Sequence, residues 1–365
     1  MLPASAATIN AASCNASDVQ TAMNAASASD IVAIPAGTCS WTTSVIWTAP
    51  ANMTVLGAGT AATGGGDQTV ITDNYAVNSP LLNISVAATG TFRMSGITFQ
   101  GGSGALKDNG VVKINGPGIV RLDHLHFSTT TTNTAKLLNI VDRVYGVLDH
   151  SILDLYSVNA IYLYNFGVDG QGNTPFAEDT NFGASTFFFV EDNIINGTPA
   201  THDTRVFDCL VAGRVVVRFN TVTATVLGED HATGSSSDVR GCRAVEIYGN
   251  SSAPGVGQTQ PNFVHVDISN GAALFWGNVA ATDSYVHIVH FNVTRKNNDT
   301  YNQQATPTGW GYCGTAFNGT GSNWDQNTSA STGYACVDQP GRGRSDLITG
   351  SFPNKVNSTT GTIAW

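Results

Sequence analysis

The feature that most restricts what this chain can fold into is a set of short apolar runs that recurs along most of its length. Each run alternates between apolar and polar residues, or is continuously apolar, and then meets Gly, Asn, Asp or Ser. This is typical of a strand that ends in a turn. The runs are IVAIPAG (31–37), MTVLGAG (53–59), TFRMSGITFQ (91–100), IVRLDHLHF (119–127), YGVLDHSIL (145–153), FFFVEDNII (187–195), RVVVRFNTV (214–222), CRAVEIYGN (242–250), AALFWGNVA (272–280) and YVHIVHFNV (285–293).

Aligning the runs on their turn residue gives one column of six: His124, His150, Asn193, Asn220, Asn250 and Asn278. The intervals are 26, 43, 27, 30 and 28 residues, and the long one contains an insertion at 164–185. Strands repeating at such a period predict stacked coils of a parallel β-helix. We expect the column asparagines to adopt left-handed backbone geometry and to bond to each other between coils. A β-sandwich or propeller would favour Asn-Gly hairpin turns, which are sparse here.

The N-terminal segment predicts a short amphipathic helix before the first strand. Ser17 or Asp18 can serve as its N-cap, and Val19, Met23 and Ala26 face inward. A solenoid exposes its end coil, so we expect this helix to cover that end.

The opening block Cys14…DVQTAMNAA…DIVAIPAGTC and the Asn-terminated coils resemble the pectate-lyase-like superfamily over residues 10–295. The resemblance implies an all-β fold, a single-stranded right-handed parallel β-helix (a solenoid) with a short N-terminal capping helix. It does not select a chemistry, since the superfamily includes lyases, hydrolases, epimerases, phage tailspikes and adhesins. We expect a cap at 1–30, coils at 31–295, and a long disulfide-bridged, Gly/Asn/Trp-rich loop region at 296–365 packed on the solenoid.

Charge restricts the partners. Sixteen basic and 26 acidic residues give a net charge of −10, and no concentrated basic face is present, so a nucleic-acid partner is not expected. No apolar run approaches the ~20 residues of a membrane span. The start MLPASAATINAAS lacks the features of a signal peptide, and we interpret the chain as a mature secreted or extracellular-surface protein.

Six cysteines point to an oxidising compartment. The simplest pairing is sequential, although the sequence leaves all fifteen connectivities open. The expected pairs are Cys14–Cys39, Cys209–Cys242 and Cys313–Cys336.

The stretch DVRGCRAVEIYGN at 238–250 concentrates Arg240, Arg243 and Glu246 in a chain with only 12% charged residues. With His231 and Asp230 from the preceding loop, these side chains could neutralise a uronate carboxylate and transfer a proton in β-elimination. The alternative is structural, with Arg243 pairing with Glu246 or capping a neighbouring turn.

Strand alternation predicts that Glu246 and Tyr248 face outward, and coil spacing extends this to a column on one face. Its members are Glu191, Arg218, Tyr248 and Trp276. Asp338 and Arg342 in the C-terminal region could complete the same substrate-binding groove, or could belong to a turn-rich loop whose glycines serve backbone freedom.

No metal site is specified by the sequence. Asp169, Glu178 and Asp179 in the insertion could bind calcium through oxygen atoms, but no compact calcium loop is present. His124 and His126 could form a metal pair, although bonding within the stack is the favoured interpretation.

These observations favour a carbohydrate-active protein whose partner is a polysaccharide, with a lyase acting on an acidic glycan as the leading hypothesis. A non-catalytic adhesin, tailspike-like module or filament subunit is the second, and self-association into oligomers would favour it. A glycoside hydrolase using Glu246 with Asp230 or Asp338 is the third.

Overall fold

The computed structural model describes residues 6–129, 136–155, 159–164, 180–197, 204–210, 213–225, 227–230, 242–253, 266–268, 272–280 and 290–291. In chain order the elements are β1 (Thr8–Asn10), α1 (Ala16–Ala25), β2 (Ile31–Ala33), β3 (Gly37–Trp41), β4 (Val45–Thr48), β5 (Thr54–Leu56), a 3-10 helix (Ala61–Thr63), β6 (Thr69–Asp73), β7 (Leu82–Ser85), β8 (Thr91–Ser95), β9 (Thr98–Gly101), β10 (Val112–Asn115), β11 (Ile119–Asp123), β12 (His126–Ser128), β13 (Lys136–Val141), β14 (Tyr145–Asp149), β15 (Ile152–Asp154), β16 (Asn159–Tyr164), β17 (Phe188–Glu191), β18 (Ile194–Asn196), β19 (Arg205–Leu210), β20 (Arg214–Arg218), β21 (Thr221–Thr223), β22 (Gly228–Asp230), β23 (Ala244–Tyr248), β24 (Ser251–Ala253), β25 (Val266–Ile268), β26 (Ala272–Trp276), β27 (Val279–Ala280) and β28 (His290–Phe291).

The strands form three parallel sheets, and each coil contributes one strand to each sheet. Within the described residues, the first sheet has ten strands in the order β1-β2-β5-β8-β11-β14-β17-β20-β23-β26. The second has nine in the order β27-β24-β21-β18-β15-β12-β9-β6-β3, and the third has nine in the order β28-β25-β22-β19-β16-β13-β10-β7-β4. This topology confirms the predicted parallel β-solenoid.

Side-chain alternation explains the core. In β20 and β23, Val215, Val217, Val245 and Ile247 point inward and are buried, and the residues between them point outward. Equivalent inward positions stack on successive coils, because parallel pairing places identical strand positions side by side.

A ladder of asparagines runs along the corner between the first and second sheets. Asn193, Asn220 and Asn250 each donate from Nδ2 to Oδ1 of the next member, ending at Asn278, over 2.8–3.0 Å. Each accepting Oδ1 also receives the main-chain N–H of the member before it. Each Nδ2 in addition donates to a carbonyl of the preceding coil. The predicted pile of asparagines is therefore confirmed, and its amides are satisfied as buried polar groups require.

The two histidines assigned to that column lie one residue before it. Leu125 and Ser151 occupy the ladder position, where the N–H of Leu125 donates to Ser151 Oγ and the N–H of Ser151 donates to Asn193 Oδ1. His124 and His150 have φ of 52° and 49°, whereas the ladder asparagines do not have positive φ, so the left-handed geometry expected for the asparagines is wrong. The alignment was wrong for both histidines, because one left-handed residue turns the chain before the ladder residue enters the corner.

Helix α1 packs on β1 and β4 and buries Val19 and Met23. Its N-cap is Asn15, not Ser17 or Asp18, and Ala26 is its half-buried C-cap. The helix is joined to the first coil by the Cys14–Cys39 disulfide. No helix in the described part of the chain has the length and apolar character needed to cross a membrane.

Gln20 connects α1 to the edge of the third sheet. Its Oε1 accepts the N–H of Ile46 and its Nε2 donates to the carbonyl of Ile46. Because β4 is the edge strand of that sheet, these bonds satisfy main-chain groups that have no strand partner.

Candidate functional site

The outer face of the first sheet carries a series of arginine–carboxylate ion pairs between neighbouring coils. We call six of its outward-facing residues the charged row: Arg93, Arg121, Asp123, Asp149, Glu191 and Arg218. Cross-strand pairing sets Asp123 beside Asp149, Asp149 beside Glu191, and Glu191 beside Arg218. Residues as far apart in the chain as Asp149 and Glu191, 42 positions (149 to 191), thus become neighbours along the solenoid.

Arg93, Asp123, Arg121 and Asp149 form one continuous network. Arg93 donates to Asp123 through Nε at 2.6 Å and Nη2 at 2.8 Å. Arg121 donates to Asp149 through Nε at 3.4 Å and Nη2 at 2.9 Å, with its Nε also 3.4 Å from Asp123. Both arginine side chains remain nearly half exposed, while the carboxylates are buried beneath them. Paired in this way, the guanidinium groups are held in fixed orientations at the surface.

Asp123 is a buried carboxyl of the charged row whose pKa is shifted by its partners. Its burial alone would raise its pKa, but hydrogen bonds from Arg93, Ser95 and His124 outweigh burial and hold the pKa well below its usual range. Asp123 is therefore ionised at all ordinary pH values and is not a proton donor.

The predicted column of Glu191, Arg218, Tyr248 and Trp276 lies in register. Arg218 pairs through Nε with Glu191 and donates from Nη1 to the Tyr248 hydroxyl at 2.8 Å. The rings of Tyr248 and Trp276 are stacked, with centroids 3.9 Å apart and planes 12° from parallel. Trp276 is 46% exposed, so this end of the outer face presents aromatic surface to solvent.

A cleft of about 400 Å³ opens on the same face. Its walls come from β11, β14 and β17 and from residues 185–186 just before β17, with one residue each from β8 and β20. Arg121, Tyr145, Phe189, Glu191 and Arg218 are among its lining residues. Cationic, phenolic and aromatic groups thus converge in one concave site, the combination that ligand sites present.

Two of the predicted catalytic residues are buried away from this cleft. Arg243 is fully buried. Glu246 faces outward as predicted, but residues 181–186 cover it, and its Oε1 accepts the N–H of Gly183 at 2.7 Å. Phe182 and Ala184 of this segment pack on the cluster formed by Phe187, Val216 and Ala244. The expected open groove is closed at β20 and β23 because the end of the insertion folds over them.

Other predicted residues lie outside the described part of the chain. These are His231, Arg240, Asp338, Arg342, Cys313 and Cys336, with the calcium candidates Asp169, Glu178 and Asp179. The main chain of Asp230 is described and lies in β22, beside Cys209 of β19. The Cys209–Cys242 disulfide agrees with the sequential pairing.

Five residues of this face were not predicted from the sequence: the arginines Arg93 and Arg121, the carboxylates Asp123 and Asp149, and the cleft residue Tyr145. The repeated LDH triplets at 122–124 and 148–150 were the available signal. Each triplet places an aspartate on the outer face and a histidine in the left-handed position after it. His124 Nδ1 lies 2.8 Å from Asp123 Oδ1, and His150 Nδ1 lies 3.1 Å from Asp149 Oδ2.

Metal binding has no support among the residues that the structure describes. These residues contain no cluster of three or more His, Cys, Asp or Glu side chains able to hold a metal ion. His126, one of the two histidines considered as a metal pair, instead lies between Asp67 and Asp154.

Fold and outer face together define a parallel β-solenoid that carries a charged cleft and, further along the same face, an exposed aromatic stack. No protein family model matches the chain, and no curated protein does.

Three solved structures are similar to the chain in fold. An alginate lyase from Paenibacillus sp. str. FPU-7 has 14% identity and a TM-score of 0.46 over 78% of this chain and 98% of that one. Geobacillus virus E2 ORF18 has 11% identity and a TM-score of 0.34 over 78% and 60% of the two chains. The catalytic domain of a GH87 alpha-1,3-glucanase, in complex with tetrasaccharides, has 14% identity and a TM-score of 0.33 over 80% and 69%.

Proposed function

We propose that this chain is a secreted polysaccharide lyase that binds an acidic glycan lengthwise along the outer face of the first sheet and cleaves it by β-elimination. The observation that carries the proposal is the guanidinium of Arg121. It is fixed by Asp149, its side chain is 48% exposed, and it borders the cleft.

A fixed arginine suits the two charges of this reaction. β-Elimination needs a cation that binds the uronate carboxylate and then stabilises the negative charge that develops when the adjacent carbon loses its proton. Two nitrogens of Arg121, Nε and Nη2, bind Asp149, and Nη1 has no partner among the described residues. Its N–H groups are therefore oriented for a further carboxylate without a reorganisation cost.

The extended shape of the site favours a polymer. Arg93, Arg121 and Arg218 lie on different coils of one face, so a chain laid along the solenoid axis meets several cations in succession. The exposed ring of Trp276, which stacks on Tyr248, offers an aromatic surface at the far end on which a sugar ring can pack. The two described disulfides support secretion into an oxidising compartment.

The test is an incubation of the full chain with polygalacturonate, alginate and a glycosaminoglycan, following ultraviolet absorbance of unsaturated product ends and, in parallel, reducing ends. We expect an unsaturated product from at least one polymer. Arg121→Gln should lower kcat/KM by about 100-fold or more, as loss of a charge-stabilising donor does.

The matched control is Lys113→Gln, which removes a cation from β10 in the third sheet and should leave the rate unchanged. Two results would refute the lyase: an equal loss in both variants, or no unsaturated product from any of the three polymers.

A glycoside hydrolase is the second candidate. Asp149 and Glu191 are cross-strand partners on β14 and β17, and adjacent strands lie ~4.8 Å apart. This is near the ~5 Å that separates the carboxylates of retaining hydrolases. Each carboxylate is paired with an arginine, however, while a hydrolase needs one of the two protonated. Reducing ends without unsaturated product would select this candidate, and polymer binding without either product would select a non-catalytic module.

A further inference from the structure

Four neighbouring coils carry a side chain at a backbone position where glycine is the ordinary residue. The left-handed row consists of His124, His150, Asp192 and Phe219. Their φ angles are 49–58°, and the same position holds Gly96 on the coil before the row and Gly249 and Gly277 on the coils after it. A left-handed non-glycine residue costs roughly 1–2 kcal/mol. Glycine meets the demands of the fold here, so the fold does not require these side chains.

The row lies directly beside the charged row, because each of its members follows a charged-row residue in the chain. Of the two histidines in the left-handed row, His150 is the more exposed, with 54% of its side chain accessible. Its Nδ1–H donates to Asp149, which leaves the lone pair on Nε2, and Nε2 has no partner among the described residues. A carboxylate that fixes the tautomer and orientation of an imidazole is the arrangement that prepares histidine as a base.

Asp149 joins this imidazole to the cation of the proposed site. It accepts two hydrogen bonds from Arg121 on one side and one from His150 on the other. His124 differs, because its partner Asp123 is fully buried and is held mainly by Arg93. The ring of His124 stacks against His150 at 5.5 Å, which supports the orientation of His150.

Resting on the proposed lyase function, we propose that His150 is the residue that transfers the proton in the cleavage reaction, with Asp149 as its positioning residue. His150 Nε2 takes the proton from the carbon that bears the uronate carboxylate. The electron pair of that C–H bond forms the new C=C bond, and the glycosidic C–O bond breaks with its electron pair on the leaving oxygen. The imidazolium then returns the proton to this oxygen, so no further reactant is needed.

The position allows a sharp test, because glycine is native to it on three other coils. His150→Gly should fold with the thermal stability of the wild type and lose about 100-fold or more in kcat, with little change in KM. Added imidazole should restore part of the rate, since the removed side chain leaves room beside Asp149. A residue with a structural role alone would not respond to imidazole.

Asp142→Gly is the matched control. Asp142 is exposed, has a φ of 61° and lies in the turn before β14 on the same coil, so its replacement tests the backbone change alone and should keep full activity.

The outcomes separate the two proposals. Wild-type enzyme that makes no unsaturated product overturns the lyase and this assignment with it. Active wild type with an equally active His150→Gly overturns the assignment of His150 alone. A His150→Gly variant that is inactive, folded and not rescued by imidazole overturns proton transfer by His150 as well.

Discussion

His124 and His150 occupy the same left-handed position on successive coils, and their imidazole rings lie 5.5 Å apart and 18° from parallel. The next residue in each coil, Leu125 or Ser151, enters the corner and is buried. One residue therefore separates a surface position, where glycine suffices, from a position in the core. Substitution should therefore change the free energy of unfolding little at the surface position and substantially at the core position.

Replacing His124 with glycine should leave the free energy of unfolding within about 1 kcal/mol of the wild type. Relief of the left-handed strain is offset by the greater chain entropy of glycine in the unfolded state. Leu125→Ala, one residue further, should lose about 3 kcal/mol, because it opens a cavity at a fully buried position. Urea unfolding of both variants measures the difference, and a His124→Gly variant as unstable as Leu125→Ala would contradict it.

Asn220→Asp should destabilise the solenoid by about 2–4 kcal/mol. The substitution preserves shape, but a carboxylate cannot donate as Asn220 Nδ2 does to the carbonyl of Val190 and to Asn250 Oδ1. Leaving buried acceptors without donors costs about 1–3 kcal/mol each. Asn24→Asp, at an exposed position in α1, is the control, and equal midpoints of thermal unfolding for the two variants would rule out the ladder as a stabilising element.

Arg93→Gln should make the stability of the fold depend less on pH in the acid range. Burial raises the pKa of Asp123, but the bonds from Arg93, Ser95 and His124 lower it further, so the net shift is downward. A lowered carboxyl pKa adds stability above the ordinary value of about 3.9, and that stability is lost as the pH falls through the lowered pKa. Without Arg93 the shift shrinks, and thermal unfolding between neutral and acid pH should vary less. An unchanged pH slope would refute the link.

His126 should confer extra stability within a limited pH range. Burial lowers its pKa, but hydrogen bonds with Asp154 and Asp67 raise it above the ordinary value. For the two aspartates the signs are reversed. Burial raises their pKa, but hydrogen bonds, including those with His126, outweigh burial and leave the pKa of each below its usual range. The ionised carboxylates therefore add stability above about pH 3.9. The imidazolium adds stability that is fully present below about pH 6.5 and is lost as the pH rises through the raised pKa of His126.

The stability difference between wild type and His126→Gln should therefore be largest between about pH 4 and 6.5 and should diminish outside that range. Thermal unfolding across the pH range measures it. His150→Gly, which removes a surface imidazole bonded to a single carboxylate, serves as the comparison. A difference that does not vary with pH would show that His126 acts through packing alone.

Much of the architecture could be predicted from the sequence, because each coil has a recognisable local sequence pattern. The apolar alternation in runs such as RVVVRFNTV fixes which residues enter the core, and the recurring Asn220, Asn250 and Asn278 fix the register between coils. The column from Glu191 to Trp276 followed from these two facts. The third sheet was not recognised as separate strands, since runs such as Val112–Asn115 are only four residues long.

The site was harder to predict, because whether a residue can reach a ligand depends on the segments that cover it and on the side chains that pair with it. Glu246 has the parity of a groove residue, but Gly183, 63 positions earlier, bonds to it and closes the face. Arg121 and Asp149 carry no local signal that they meet, and only the stacking of β11 on β14 brings them together.

By itself, the sequence of this protein determined a stack of parallel coils, the residues that fill it and the column of asparagines along one corner. These follow from the period of the side chains and from the hydrogen bonds that a buried amide must make. The tertiary structure alone decided which polar side chains are open to a ligand, because exposure depends on segments that fold over a face from far away in the chain. It likewise decided that the outward arginines are bound to carboxylates of the adjoining coil, a pairing set by the distance between strands and by no pattern within any one of them.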